Sequence, residues 1–214
     1  ISPEAMNITM SAICDKYDLD YWVWTPATFD LSVKAEKDKA VAQHIQLYHA
    51  CPRLNGVFFP GGDPGENHPK YIMPFLEELS HHLLQNHPNA KVWLSMQSFD
   101  EEEIDFVFKY LDKNKPDWFG GLVSGPGSPP MPDSRKRLCP NYQLRHYPDL
   151  THSTRCQYPV SWWDPALART LGRECPNPQP VYSSLIHNWF APFTDGFISY
   201  SDGMHDDVNK IIWS

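Results

Sequence analysis

The stretch that decides the fold is VFFPGGDPG, residues 57–65. It joins an uninterrupted apolar run to a turn built from glycine, proline and a single aspartate, Asp63. A short apolar run without alternation predicts a strand covered on both faces, which is typical of parallel sheets. The turn after it is then the C-terminal end of a strand, where parallel α/β folds carry their functional groups.

The same pattern recurs on both sides of this stretch, with helical patterns between the predicted strands. The predicted strands are 21–27, 55–65, 91–98, 118–126, 142–148 and 196–200. The predicted helices are 3–17, 32–51, 69–86, 100–112, 164–173 and 180–190, with another beginning near residue 206. A proline-rich segment, 126–142, departs from this rhythm and is predicted to lack regular structure.

Alternating helices and buried strands predict an α/β protein with a parallel sheet. A doubly wound open sheet usually begins with a glycine-rich phosphate turn, and the sequence has no such motif. We therefore predict a (β/α) TIM-type barrel that is incomplete and carries strands three to eight. The chain does not begin with Met, so residues 1–214 are interpreted as a single barrel domain from a longer chain.

Composition narrows the class of partner. The formal net charge is −8 and no basic stripe appears, which argues against binding to nucleic acid. Apolar runs are strand-sized and too short to cross a membrane, and the 5 cysteines lack the spacing of a zinc site. No motif predicts a cofactor. The 8 tryptophans favour a carbohydrate partner, because aromatic rings stack on the flat faces of sugars, although single tryptophans are more often core residues.

Polar and aromatic residues collect at the predicted C-terminal strand ends, whereas the helix-to-strand turns are plain connectors. This asymmetry is the main functional signal of the sequence. The residues concerned are Trp24, Asp63, Glu66, Gln97, His146, Asp149, His152, Asp202, His205 and Asp206, and the long loop after the fifth strand adds Trp162 and Trp163.

Glycoside hydrolysis needs two groups that flank the scissile bond, commonly two carboxylates. Asp63 and Asp202 are the predicted pair, and Glu66 is a third candidate from the same loop as Asp63. The other strand-end residues are predicted to bind the substrate, with the tryptophans stacking on sugar rings. Two of these positions also have a structural alternative to a functional role. Asp63 could accept a local hydrogen bond in a tight turn, and one residue of the Asp206–Asp207 pair could cap the N-terminus of the last helix.

Three segments resemble a known family: VFFPGGDPG at 57–65, RHYPDLTHS at 145–153 and ISYSDGMHDDVNKIIWS at 198–214. There the chain resembles the C-terminal two-thirds of a glycoside hydrolase-type (β/α)8 barrel, within the broad group of β-hexosaminidases and α-glucuronidases. Substrate-assisted β-hexosaminidases carry a Gly-Gly-Asp-Glu-like element, whose Asp positions the acetamido group and whose Glu is the general acid. Here Gly61-Gly62-Asp63 is followed by Pro64, so the resemblance implies a role for Asp63 alone.

Two other functions stay open beside a glycosidase. A metal-dependent hydrolase would use His146, His152, His205 and Asp202. A carbohydrate-binding barrel without activity would explain the missing Glu after Asp63. For a glycan-degrading enzyme we expect a periplasmic or secreted location, with carbohydrate and the remainder of its own chain as partners.

Overall fold

The computed structural model describes residues 2–148, 166, 180–199, 208 and 211. The helices are α1 (Pro3–Lys16), α2 (Lys34–Ala50), α3 (Pro69–Asn86), α4 (Glu101–Asn114), α5 (Met131–Arg137) and α6 (Pro180–Phe190), and a 3-10 turn follows at Ala191–Phe193. The strands are β1 (Trp22–Trp24), β2 (Gly56–Pro60), β3 (Lys91–Ser95), β4 (Phe119–Ser124), β5 (Gln143–His146) and β6 (Gly196–Phe197).

The order of the strands confirms the predicted fold class. They follow the chain as β1-β2-β3-β4-β5-β6, and the recorded pairings are parallel. A doubly wound sheet reverses its strand order at a switch point, whereas each strand here follows its predecessor in the sheet, as in a (β/α) barrel. The described strands number six, against the eight of a complete barrel, so the fold is an incomplete TIM-like one.

Side-chain caps begin helices α1 and α4. The Ser2 hydroxyl accepts a hydrogen bond from the Ala5 amide at 3.2 Å and starts α1. Asp100 and Glu103 form a reciprocal capping box at the start of α4, with hydrogen bonds of 2.8 and 3.0 Å. Among the described residues, no helix combines the length and apolar character needed to cross a membrane.

One secondary-structure prediction is wrong. The proline-rich segment contains α5, Met131–Arg137, where we predict no regular structure. Pro132 lies in the first turn of that helix, where a proline disturbs no intrahelical hydrogen bond. Among the described residues, the strands are shorter than predicted, and β1 spans only Trp22–Trp24. The predicted helices at 164–173 and from 206 lie almost wholly outside the described residues.

The chain divides into two compact units. The first contains Ile1–Leu122 and Leu138–Tyr142, and the second Val123–Arg137 and Gln143–Ser214. In the first unit α3 buries an apolar face, and its Phe75 ring meets the Phe59 ring of β2 edge-on at 6.0 Å. In the second unit Asp195 joins two elements, since its carboxylate accepts from the Arg135 guanidinium at 3.0 Å and the Leu144 amide at 2.9 Å.

In the first unit, two tryptophans pack against glycines of neighbouring strands. The Trp22 and Trp93 rings lie 4.6 Å apart, tilted by 33°. A Cβ at Gly56 would lie 2.5 Å from Trp22 Cδ2, and one at Gly120 would lie 2.6 Å from Trp93 Cε2. The two glycines therefore supply the space that the indole rings fill.

We expect Gly56→Ala to lower the free energy of unfolding by about 1–3 kcal/mol, because the new methyl group overlaps the Trp22 ring. Urea unfolding of Gly56→Ala, Trp22→Leu and the double variant measures the coupling between the two positions. In Trp22→Leu the smaller leucine side chain leaves room for the new methyl group. Gly56→Ala should therefore lower the free energy of unfolding by less in that variant than in the wild type. Strictly additive effects would contradict this packing.

Candidate active site at the strand ends

The loops that follow β2 and β3 lie against each other in the first unit. The Gly61 amide donates a hydrogen bond to the Ser95 carbonyl at 2.9 Å. A Cβ at Gly61 would lie 2.4 Å from Phe99 Cζ, and one at Gly62 would lie 2.5 Å from the Gln97 carbonyl oxygen. The space beside each Cα is therefore filled by the loop that follows β3, and the two glycines pack the loops together.

This close contact brings two predicted site residues together. The Gln97 side-chain amide donates a hydrogen bond to the exposed Asp63 carboxylate, with Nε2 and Oδ2 3.1 Å apart. The Gln97 backbone amide in turn donates to the hydroxyl of Ser95, a buried residue at the end of β3, at 3.2 Å. The neighbouring strand end thus orients Asp63, and no residue in the described part of the chain bonds to its other carboxylate oxygen.

Asn67 is a structural residue of the site that the sequence analysis did not single out. Its buried side chain donates to the Phe29 carbonyl at 2.8 Å and the Ala27 carbonyl at 3.3 Å, and accepts from the Leu31 amide at 2.8 Å. It therefore holds the loop after β1 against the loop after β2. One feature of the sequence could have indicated this role. Asn67 stands directly before the helix start at His68–Pro69, and asparagine side chains often bond to the backbone of irregular segments.

A cleft opens between these two loops. It has a volume of about 550 Å³ and is lined by Ala27, Thr28, Phe29, Asp30, Gly65, Glu66 and Asn67. This volume lies within the range of small-molecule sites in proteins. Glu66 lines the cleft, while Asp63 precedes the lining residue Gly65 by two positions. Both carboxylates of the β2–α3 loop therefore belong to one small region of the first unit.

Trp24 lies elsewhere in the first unit. Its side chain is 51% exposed, and it lines a second groove together with residues of α1 and α2. Neither Asp63 nor Glu66 lines that groove. The structure therefore does not bring Trp24 together with the two carboxylates that follow β2.

His146 ends β5 in the second unit and is only 2% exposed. Its ring packs edge-on against Phe190 of α6, with centroids 5.3 Å apart. Burial lowers the pKa of His146 to about 4, with a smaller contribution from the nearby His187. The imidazole is therefore neutral at pH 7.

The other predicted site residues lie outside the described part of the chain. These are Asp149, His152, Trp162, Trp163, Asp202, His205 and Asp206. Within residues 2–148, 166, 180–199, 208 and 211, no group of three or more His, Cys, Asp or Glu side chains is arranged to hold a metal ion.

The sequence matches no family model and no curated protein, but the fold matches solved structures. The spore cortex-lytic enzyme SleL of Bacillus megaterium QM B1551 aligns with 95% of this chain at a TM-score of 0.56 and 9% identity. A GH10 endoxylanase from a sugarcane soil metagenome aligns with 90% at a TM-score of 0.53 and 10% identity. The probable 3-DHS dehydratase AsbF of Bacillus anthracis aligns with 99% at a TM-score of 0.52 and 13% identity.

These likenesses show the fold. The chain spans 61% of the length of the SleL chain, 68% of the endoxylanase and 81% of AsbF. Glycoside hydrolase-type TIM-barrel enzymes are thus among its structural neighbours, and a probable dehydratase is another. The narrower resemblance to β-hexosaminidases and α-glucuronidases is not confirmed and stays a prediction. One fold supports several chemistries, so the function must be argued from the site.

We expect Asn67→Asp to lower the free energy of unfolding by about 1–3 kcal/mol, because an aspartate cannot donate to the Phe29 and Ala27 carbonyls. Asn89→Asp, at an exposed turn position, introduces the same change where no such bond is recorded and serves as the control. Urea denaturation measures both. Equal stability of the two variants would show that Asn67 does not hold the loops together.

The low pKa of His146 predicts that the free energy of unfolding falls as the pH is lowered. Between pH 6.5 and about 4 the unfolded chain binds a proton at this residue that the folded chain does not. The free energy of unfolding should therefore fall across that window by up to about 3 kcal/mol. In His146→Gln this fall in the free energy of unfolding should be absent. In the control variant His81→Gln, which changes an exposed histidine, the fall should remain. An NMR titration midpoint near 6.5 for His146 would contradict the prediction.

Proposed function

We propose that this chain is part of a glycan-acting hydrolase whose site lies in the β2–α3 loop. The observation that carries the proposal is the Asp63 carboxylate, which Gln97 orients at 3.1 Å in the loop whose Glu66 lines the cleft. The hydrogen bond from the Gln97 amide fixes the direction of this carboxylate. Such a group suits the positive charge that develops at the sugar in the transition state.

The two carboxylates take different roles in this proposal. Asp63 stabilises the developing charge or activates the attacking group, and Glu66 protonates the leaving oxygen from within the cleft. The sequence also predicts Asp202 as a partner of Asp63, and Asp202→Asn belongs in the same experiments. Asn67 acts as a positioning residue, because it holds the two loops that form the cleft walls.

The fold is compatible with this class of reaction. Two of the solved structures that this chain resembles are a spore cortex-lytic enzyme and an endoxylanase, and at the level of the fold they support a glycan-acting hydrolase. The resemblance of Gly61-Gly62-Asp63 to the hexosaminidase element favours sugars with an acetamido group. The free oxygen of the Asp63 carboxylate can accept a hydrogen bond from the N–H of that group.

Binding of glycans without hydrolysis is the second candidate. The observation that favours it is Pro64, which stands where the related element has its general acid. In this case the cleft and Asp63 bind the sugar, and no group completes the chemistry. Both candidates place the sugar at the same loop, so one set of variants separates them.

We expect Asp63→Asn to lower kcat/KM on the best substrate by at least about 100-fold, because the charge is lost while the shape is kept. The substrate is found by screening N-acetylated and unsubstituted β-linked oligosaccharides for reducing-end release. Asp112→Asn, an exposed aspartate on α4, is the matched control and should keep full activity.

Calorimetry with the same oligosaccharides separates the outcomes. Turnover that falls in Asp63→Asn while the control is unaffected supports the hydrolase. Binding that requires Asp63 without any turnover supports the second candidate. Activity that is unchanged in Asp63→Asn and in Glu66→Gln would contradict the proposed site.

A further inference from the structure

The first unit contains a groove whose lining residues differ from those of the cleft at Glu66. The groove has a volume of about 370 Å³, and its walls come from α1, the end of β1 and α2. Such a volume is within the range of small-molecule sites in proteins. The groove is therefore a candidate for a second binding site in the same unit.

Two residues that line this groove carry buried polar atoms without a hydrogen-bond partner in the described part of the chain. The atoms are Thr25 Oγ1, directly after β1, and His44 Nε2, on α2. Leaving a buried polar group unpaired costs about 1–3 kcal/mol, and few such groups remain in folded proteins. A molecule bound in the groove can supply the missing partners.

The hydrogen-bonding roles of these two atoms follow from their surroundings. His44 Nδ1 lies 2.8 Å from the Ala40 carbonyl, which can only accept, so Nδ1 carries the ring proton. Burial lowers the pKa of His44, so the ring is neutral at pH 7 and its Nε2 is an acceptor. The Thr25 hydroxyl can donate and accept. A hydroxyl group of a ligand does both as well, and therefore matches this pair.

The other groups in the groove favour an uncharged ligand with many hydroxyls. Asn7, Gln43 and Gln46 add carboxamides, and Glu4 adds a carboxylate that can accept from hydroxyl groups. None of the described residues that line the groove is a lysine or an arginine, which disfavours phosphates and carboxylates as ligands. Trp24, which is 51% exposed, adds a flat apolar ring of the kind on which sugars stack.

We propose that this groove binds an uncharged sugar unit of a glycan, with sugar hydroxyls bonded to Thr25 and His44 and a ring face against Trp24. The groove is a second site, separate from the one proposed in the β2–α3 loop. It catalyses nothing, and its binding of sugar does not require the carboxylates of that loop. The sequence analysis predicts a single sugar site that contains Trp24, whereas this proposal gives Trp24 a site of its own.

One loop borders both the groove and the cleft. Thr25 and Pro26 line the groove, and the next four residues, 27–30, line the cleft. The buried Asn67 side chain fixes this loop through its bonds to the carbonyls of residues 27 and 29. A glycan that is held in the groove is therefore retained beside the cleft, which raises its local concentration there.

NMR of the isotope-labelled chain tests the groove in a double variant, Asp63→Asn with Glu66→Gln, so that it succeeds or fails independently of the proposed active site. With cello-, xylo- or chito-oligosaccharides we expect saturable shift changes at the amides of Thr25 and His44 and at the Trp24 indole. An oligogalacturonide, which carries carboxylates, should bind at least about tenfold more weakly. No saturable change at these positions with any neutral series would overturn the proposal, as would equal affinity for the oligogalacturonide.

Matched variants test the two kinds of contact. Trp24→Ala should raise the Kd for the best oligosaccharide by about tenfold or more, whereas Trp189→Ala, at a tryptophan of α6 that is 57% exposed, should leave it unchanged. Thr25→Val should raise the Kd about fivefold and change Tm by less than about 2 °C, because the lost hydroxyl has no partner in the described part of the chain. Thr9→Val, which removes a hydroxyl bonded to the Ala5 carbonyl, should leave the Kd unchanged. An unchanged Kd in both Trp24→Ala and Thr25→Val would contradict the proposal.

Discussion

The contact on which the candidate site depends is the close approach of the β2 loop to the end of β3. It exists because Gly61 and Gly62 have no side chain, so that Phe99 and two backbone carbonyls occupy the space beside them. The parallel strands place the ends of β2 and β3 at the same edge, and the glycines bring the two loops into hydrogen-bonding distance. Asp63 meets Gln97 only as a consequence of this packing.

Much of the fold was predictable because it is encoded locally. Helices α1 and α4 begin within one residue of the predicted starts, where Ser2 and Asp100 cap them, and the apolar runs become strands. The sequence did not predict helix α5, because the prolines on both sides of Met131 are typical of loops. The first turn of a helix nevertheless tolerates proline. The strands are shorter than predicted, since the length of a paired strand such as β1 depends on its neighbour as well as on its own sequence.

The strand-end positions of the candidate site residues were predictable, but their contacts were not. The rule that functional groups follow parallel strands locates Asp63, Glu66 and Gln97 in the first unit. The Asp63–Gln97 bond joins residues 34 positions apart, and no local pattern encodes such a partner. Trp24 lies at the end of a strand as predicted, but its side chain lines a separate groove beside α1. A position at a strand end therefore does not by itself bring a residue to the candidate site.

We propose that sugars bind at the strand-end loops of the first unit. NMR of the isotope-labelled chain, titrated with N-acetylated and unsubstituted oligosaccharides, reports binding at each backbone amide. We expect saturable shift changes at the amides of Asp63, Glu66, Asn67 and Gln97, with little change at the helix-to-strand turns near Arg53, Asn89 and Lys115. Changes confined to those turns, or none with any oligosaccharide, would contradict it.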